Sequence, residues 1–408
     1  MSNIRQFISE YNQVGTDAAG RSRVSQITTV FDGKVVNGHN SLIFDETGSG
    51  QFISGSNKIT MTASGSGNEY TIFQSNRDFV YLSGKSQLVE ETFDTFSTQS
   101  GVIKRVGYFD SNDADPTANS SSYDGFWLET TDDSIKLVVQ NEDDGEPNHE
   151  VDITEWTGYE SLGEYQNIST WDYFTVIIWD FLWLGGAVLR LWLKTDNGFK
   201  LAHIYNYSGK RKDTMIKWPC KPIRYEVRNV GGNTNGEFRY ICSQVATEGS
   251  INNMGIARSV DTGITPITLT TTGTTYPILA IRKNSPYRCI PAELLDFTTF
   301  ITTNNDYAKF TIQYNPTLSA PLTYTDVDKS SVQKSIGDGI ITVTADGDVL
   351  ASGYYKQDTI LPTKLLDENF LTFLTSGVNF ENTGQYVLCI TPISNNIDVF
   401  GEMSYKEY

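Results

Sequence analysis

The stretch Tyr173–Leu193, YFTVIIWDFLWLGGAVLRLWL, is the most apolar in the chain, and it narrows the fold more than any other feature. It is long enough to cross a bilayer as a helix. Against that, Asp180 and Arg190 interrupt it, Gly185-Gly186 stands in its middle, and β-branched and aromatic residues dominate it. The same residues fit two buried strands joined by a Gly-Gly turn. No membrane span is therefore expected, and the chain must supply enough further strands to cover this pair.

It does. Short alternating segments recur every eight to twelve residues, as in QFISGSNKITMTAS, SQLVEETFDTF, GVIKRVGYFD, GFWLETT and SIKLVVQNEDDG. That spacing predicts an all-β protein of the sandwich type. TDNG and GGNTNG mark hairpins, because Asn-Gly supplies the positive φ of tight turns. Helix candidates are few: DITEWTGYES running into GEYQN, equally readable as a loop, and Pro291–Phe297, where Pro precedes acidic residues as at a helix start. A length of 408 residues exceeds one ordinary core. The composition turns Thr-rich after residue 255, where a fresh set of strands begins. The expected organisation is an extended N-terminal arm at 1–30, a sandwich at 31–255 and a second β-sandwich at 256–408.

A formal charge of -18 argues against nucleic acid as a partner, since phosphate binding needs a basic surface. The opening MSNIRQFISEYNQ lacks the apolar core of a signal peptide. Cys220, Cys242, Cys289 and Cys389 form no C-x-x-C pair, which predicts four buried thiols and a reducing compartment. His39, His149 and His203 are scattered, so no zinc site and no catalytic triad is expected.

Three site chemistries bear on particular residues. The carboxylates of Asp110–Asp115 and Asn141–Glu146 have spacings seen in calcium loops, but neither follows the twelve-residue calcium-loop pattern, and solvated turns are the plainer reading. Glu155, Glu160, Glu164 and Asp172 surround Trp156 and Trp171, as a glycosidase would need, without a compact strand motif. Aromatic stacking on sugars would use exposed rings. Trp179, Trp183 and Trp192 lie in the apolar stretch and are expected in the core. Trp127, Trp156 and Trp171 are the candidate glycan platform. No enzyme activity, cofactor or metal is expected.

The leader Thr16–Gly33, TDAAGRSRVSQITTVFDG, carries two arginines but no G-K-[S/T] ending, so it is not a phosphate loop. As an extended strand it would project Arg21 and Arg23 to one side, suited to carboxylates of a neighbouring subunit or to an ion pair within the chain. This leader resembles a DAFGRLRVS…TLFD sequence that recurs near the start of virion structural proteins of tailed bacteriophages, notably marine and crAss-like ones. Ala19 and Ser22 depart from it, standing where the pattern has an aromatic and a leucine. The similarity continues through YLSGKSQLVEETFD, GVIKRVGYFD, DGFWLE, NISTWDYFTVIIWDFLWLGGAVLRLWLKTDNGF and FRYICSQVATEGS, covering residues 16 to about 250. The strand order of this part is similar to a concanavalin-type or laminin-G-type sandwich, within a tandem β-sandwich (jelly-roll or concanavalin-like) fold class. The resemblance implies a virion location and a non-enzymatic role in capsid decoration, neck or tail. Its implied partners are other virion proteins and further copies of the chain, with Arg21 and Arg23 as docking residues. The alternative is a fibre or adhesin module that binds a host surface glycan.

Overall fold

The computed structural model describes residues 16–18, 20–23, 26–35, 44–55, 57–65, 68–75, 78–79, 81–111, 122–144, 147–184, 188–231, 234–249, 255–284, 287, 289–290, 292–303, 306–356, 363–364, 384–393 and 396–407. These form an all-β protein; among them the named helical elements are five short 3-10 turns between Glu142 and Asp172. No helix among them is long and apolar enough to cross a membrane. The chain divides into two compact units, Met1–Asn252 and Asn253–Tyr408.

The first unit is built from β1 (Ile27–Lys34), β2 (Phe44–Gly48), β3 (Gln51–Ser54), β4 (Ile59–Ala63), β5 (Tyr70–Ser75), β6 (Gln87–Asp94), β7 (Val102–Ser111), β8 (Tyr123–Thr130), β9 (Ile135–Gln140), β10 (Pro147–Asp152), β11 (Thr175–Leu182), β12 (Val188–Thr195), β13 (Gly198–Asn206), β14 (Ile223–Asn229) and β15 (Gly236–Glu248). One sheet runs β13-β12-β11-β6-β15-β4-β3, and β1 also pairs with β15. The other runs β10-β9-β8-β7-β14-β5-β2. All these pairings are antiparallel.

The apolar stretch of the sequence is the β11–β12 hairpin, with Asp180 opposite Arg190 in register. Its near-continuous hydrophobicity has a physical cause, because both faces of the hairpin are buried. Ile177, Trp179 and Phe181 join Leu189, Leu191 and Leu193 in the main core between the sheets. On the opposite face Ile178 and Trp192 pack with Leu88 and Ala246. Each such large side chain contributes on the order of 2 kcal/mol when removed from water.

The second unit comprises β16 (Ile256–Asp261), β17 (Ile267–Leu269), β18 (Tyr276–Lys283), β19 (Ala292–Ile301), β20 (Tyr307–Tyr314), β21 (Thr317–Leu318), β22 (Thr325–Asp326), β23 (Val332–Ile336), β24 (Val343–Ala345), β25 (Asp348–Lys356), β26 (Thr363–Lys364), β27 (Gln385–Pro392) and β28 (Ile397–Glu407). Its two larger sheets run β16-β28-β19-β26, with β17 also on β28, and β22-β23-β18-β27-β20-β25. Their shared core includes Ile278, Phe297, Phe310, Leu388, Met403 and Tyr405.

Two expectations need correction. Pro291–Phe297 was a helix candidate, yet Ala292–Phe297 opens β19, where Ala292, Leu294 and, after a bulge, Phe297 are buried. A period near two, not 3.6, decides that segment. Of the cysteines, Cys242 and Cys389 are free thiols, whereas Cys220 and Cys289 are disulfide-bonded. Neither bonded residue lies in a telling spacing.

Glu91 of β6 points into the first core. It is fully buried and accepts a hydrogen bond from Trp179 Nε1 at 2.7 Å. Burial pushes its carboxyl up to about 8, against the smaller opposing pull of the Trp179 and Tyr225 donors. The folded chain therefore holds this proton at neutral pH while the unfolded chain releases it. The stability linked to Glu91 is complete below its unfolded value and is lost as pH rises through the folded one. Glu91→Gln keeps the shape and the acceptor. Its urea-denaturation stability should lack the loss, on the order of 3 kcal/mol, that the parent shows between pH 5 and pH 8. An identical pH dependence in both proteins would contradict this.

Candidate functional site

The leader is a closed hook rather than a straight strand. Thr16 and Ser22 pair as an antiparallel bridge. Within the hook the Gly20 amide donates to Asp17 O at 2.8 Å and the Asp17 amide to Arg21 O at 2.7 Å. Gly20 has φ of +79°, a region that side chains disfavour, so glycine suits the bend. Asp17 caps the hook from inside, accepting from the Arg21 amide through Oδ1 and pairing with Arg21 Nε through Oδ2.

The hook is fastened at one buried carboxylate. Arg23 NH2 lies 2.8 Å from Asp180 Oδ2, and Arg190 pairs with the same oxygen. Ser86 Oγ donates to Asp180 Oδ1 at 2.5 Å. Arg23 Nε sits 3.1 Å from Glu248 Oε1, and Arg190 NH2 donates to Thr16 O at 2.7 Å. The Ala18 amide bonds Ser86 Oγ, and Arg21 NH2 reaches Gly84 O at 3.0 Å. Two guanidiniums thus balance two carboxylates in a largely dry site, which Asp180 alone could not occupy without a large desolvation cost.

This geometry corrects the docking assignment of Arg23. Its side chain is only 8% exposed and is committed to Asp180 and Glu248 of its own chain. Arg21 differs, with its side chain 55% exposed although paired with Asp17. The two do not act as a same-side pair, because the hook turns the backbone between Thr16 and Ser22.

The tryptophan platform is corrected as well. Trp127, Trp156 and Trp171 are 2%, 3% and 0% exposed, so none offers a face to solvent. Trp127 packs on Phe109 and Tyr123, while Trp156 meets Trp171 edge-on at 6.3 Å. Just beyond Trp171 two exposed aromatics follow, Tyr173 at 73% and Phe174 at 62%. Their backbone is pinned: the Tyr173 amide donates to Thr170 O at 3.1 Å, and Tyr165 OH to Phe174 O at 3.5 Å. The sequence signal for them is their place at the mouth of β11, where a loop has yet to enter the core.

The carboxylates of the acidic loops and around the tryptophans have varied surroundings. Glu164 accepts from the Asp196 amide, and Asp172 from Ser97 Oγ at 2.6 Å. Asp110 lies buried against Lys221 instead of in a solvated turn, and residues 112–115 lie outside the described residues. Glu142 and Asp143 pair with Lys217. Among the described residues no group of three or more metal-ligating side chains is gathered.

Two clusters escaped the reading of the sequence. His149 of β10 and His203 of β13 meet Nε2 to Nε2 at 3.0 Å, joining the terminal strands of the two sheets. The Thr157 amide donates to His203 Nδ1, so the His203 proton sits on Nε2 and faces the lone pair of His149. His149 also lies flat on Tyr205 at 4.1 Å. Burial, with Lys210 nearby and, for His203, the opposing imidazole, pulls both rings down to about 4. The second cluster centres on Glu226, which accepts from Tyr123 OH at 2.9 Å and pairs with Arg105, Arg224 and Arg228. Burial pushes its carboxyl up, but the three guanidiniums outweigh that and hold it below the ordinary value. The alternation R-Y-E-V-R in β14 places the three charges on one face, a signal present in the sequence.

No family model matches the chain. No curated protein matches it either. Solved structures similar to it include the carbohydrate recognition domain of Emp47p, at 16% identity and TM-score 0.35, covering 56% of this chain and 100% of that one. The β-glucanase of Bacillus licheniformis is 12% identical at TM-score 0.36, with 55% and 100% covered. A protein of unknown function from Shewanella oneidensis MR-1 is 11% identical at TM-score 0.37, with 60% and 95% covered.

The clasp makes a clear division between the two arginines. Arg23→Met strands Asp180 and Glu248 with one guanidinium fewer and should cost about 3 kcal/mol. Arg21→Ala, at the surface, should cost less than about 1 kcal/mol. Urea denaturation of the two variants checks this, and equal, negligible losses would contradict the clasp.

Proposed function

We propose that this chain is a structural protein of a bacteriophage virion, a capsid decoration, neck or tail-associated component that acts by assembling with other virion proteins and with its own copies. The observation that supports the reading is how the leader motif is used. Asp17, Gly20, Arg21 and Arg23, which agree with the phage pattern, are the residues that bend the hook, cap it and fasten it. Of the two departures, Ser22 is exposed and Ala19 lies outside the described residues. The partners Asp180, Arg190 and Glu248 lie in segments that also belong to the resemblance. The motif therefore encodes a fold element together with its seat, as expected if the similarity reflects a shared domain and not a chance leader. Mass spectrometry and immunogold labelling of purified particles test the reading. The chain should be present at fixed stoichiometry on one part of the particle, and particles lacking it would overturn the proposal.

A second reading, attachment to a host surface glycan, is favoured by Tyr173 and Phe174. Two large aromatic side chains held out on a pinned backbone present apolar faces at low ordering cost. Under this reading Tyr173→Ala combined with Phe174→Ala should lower binding to a glycan array at least about tenfold, with the fold unchanged. Absence of any array binding by the parent chain removes the reading.

A further inference from the structure

We propose that the first unit forms an intramolecular isopeptide bond between Lys221 and Asp124, with Asp110 carrying the proton. Asp110 of β7 and Asp124 of β8 are opposite each other in register. Lys221 precedes β14, which pairs with β7 on its other side. Three strands thus bring an amine and two carboxyls to one end of the seven-stranded sheet. Tyr108 and Phe126, two positions away on β7 and β8, belong to the sandwich core, so by strand alternation both carboxyls face inward. Lys221, Asp110 and Asp124 are 0%, 1% and 0% exposed.

The contacts are those an acyl transfer needs. Lys221 Nζ lies 2.7 Å from Asp110 Oδ1 and also contacts Asp124 Oδ2. The Lys217 amide donates to Asp124 Oδ1 at 2.8 Å, and the Trp218 amide to Oδ2 at 3.1 Å. The step opens with one proton passed from the Lys221 ammonium to Asp124 Oδ2, which leaves a neutral amine next to a carboxylic acid and Asp110 as a carboxylate. The nitrogen lone pair then attacks Cγ of Asp124. Negative charge develops on Oδ1, where the Lys217 N–H already points. Asp110 takes a proton from the attacking nitrogen and delivers it to Oδ2. The Cγ–Oδ2 bond breaks and water leaves. One ammonium and one carboxylate become one amide and one water, Asp110 ends as it began, and nothing is oxidised or reduced.

Proximity supplies the driving force. Groups fixed in contact react at effective molarities on the order of 10⁵ M or more, and burial keeps out the water that would reverse the step. Lys104 is the internal contrast. It is also buried, but its Nζ donates to the backbone carbonyls of Thr95 and Ser97 instead of meeting a carboxyl group. The new bond would tie β8 to the strand beyond β7, covalently closing one end of the sheet.

The experiment is the intact mass of the reduced, denatured full chain, followed by peptide mapping. The expected mass is about 18 Da below that of the sequence, one water lost per closed bond. The deficit should map to a branched peptide that contains Lys221 and Asp124. Lys221→Met and Asp124→Ala should each restore the full mass, and Asp110→Asn, which keeps the shape, should leave most chains unlinked. A full mass for the parent chain overturns the proposal whatever the variants do. So does a deficit that persists in Lys221→Met or maps to Asp110 as the acyl partner.

Discussion

The first unit turns on a carboxylate that its strand would prefer not to contain. Asp180 sits in a hairpin buried on both faces, opposite Arg190. A lone carboxylate there would carry several kcal/mol of desolvation penalty. Arg190 alone leaves Oδ1 and the Glu248 side unsatisfied; Ser86 and Arg23 complete the set. Arg23 can arrive only if the leader bends at Gly20 and runs back along β15 as β1. A single buried charge thus determines where the N-terminal segment goes, which edge of the sheet it covers and why the leader pattern contains the residues it does.

The same tactic recurs through the unit. Its sandwich buries several ionisable groups in sets: Glu226 among three arginines, Lys221 between two aspartates, His149 against His203. Such sets contribute little net stability compared with apolar packing of equal volume, but they penalise every arrangement that leaves a member unpaired. In a fold made of many similar alternating strands, where a one-residue slip exchanges the two faces of a strand, that penalty fixes register. Lys104 and Glu91 stand outside these sets, Lys104 held by the carbonyls of Thr95 and Ser97. Glu91 solves its burial by keeping its proton.

The fold was legible because its signals are local. The strand period, the Asn-Gly turns and the apolar hairpin each depend on neighbours in sequence. Pro291–Phe297 misled because a bulge at Leu294–Asp296 breaks its alternation. The site was less legible because its partners are distant. Arg23 and Asp180 are far apart in the chain, as are His149 and His203, and no spacing announces that they meet. The tryptophans failed for a different reason. Trp127 sits on a strand whose two faces are both buried, and Trp156 and Trp171 lie among 3-10 turns folded down onto the core, so loop-like sequence did not mean exposure. What could have been read is the R-Y-E-V-R alternation of β14, which puts a charged face on a strand flanked by apolar ones.

The histidine pair and Glu91 pull stability in opposite directions along the pH axis. The histidine pair, with folded values near 4, contributes stability present above the ordinary imidazole value and lost as pH falls. A third proton would either set two N–H groups against each other or break the Thr157 bond, so the loss falls on the seam between β10 and β13. Glu91, near 8, contributes stability that is complete at low pH and declines as pH rises. One effect acts at the edge where the sheets meet and the other in the centre of the core. Acid therefore weakens the seam at the rim and also the buried Glu226 cluster, whose carboxyl is held below its ordinary value, whereas rising pH weakens the core through Glu91.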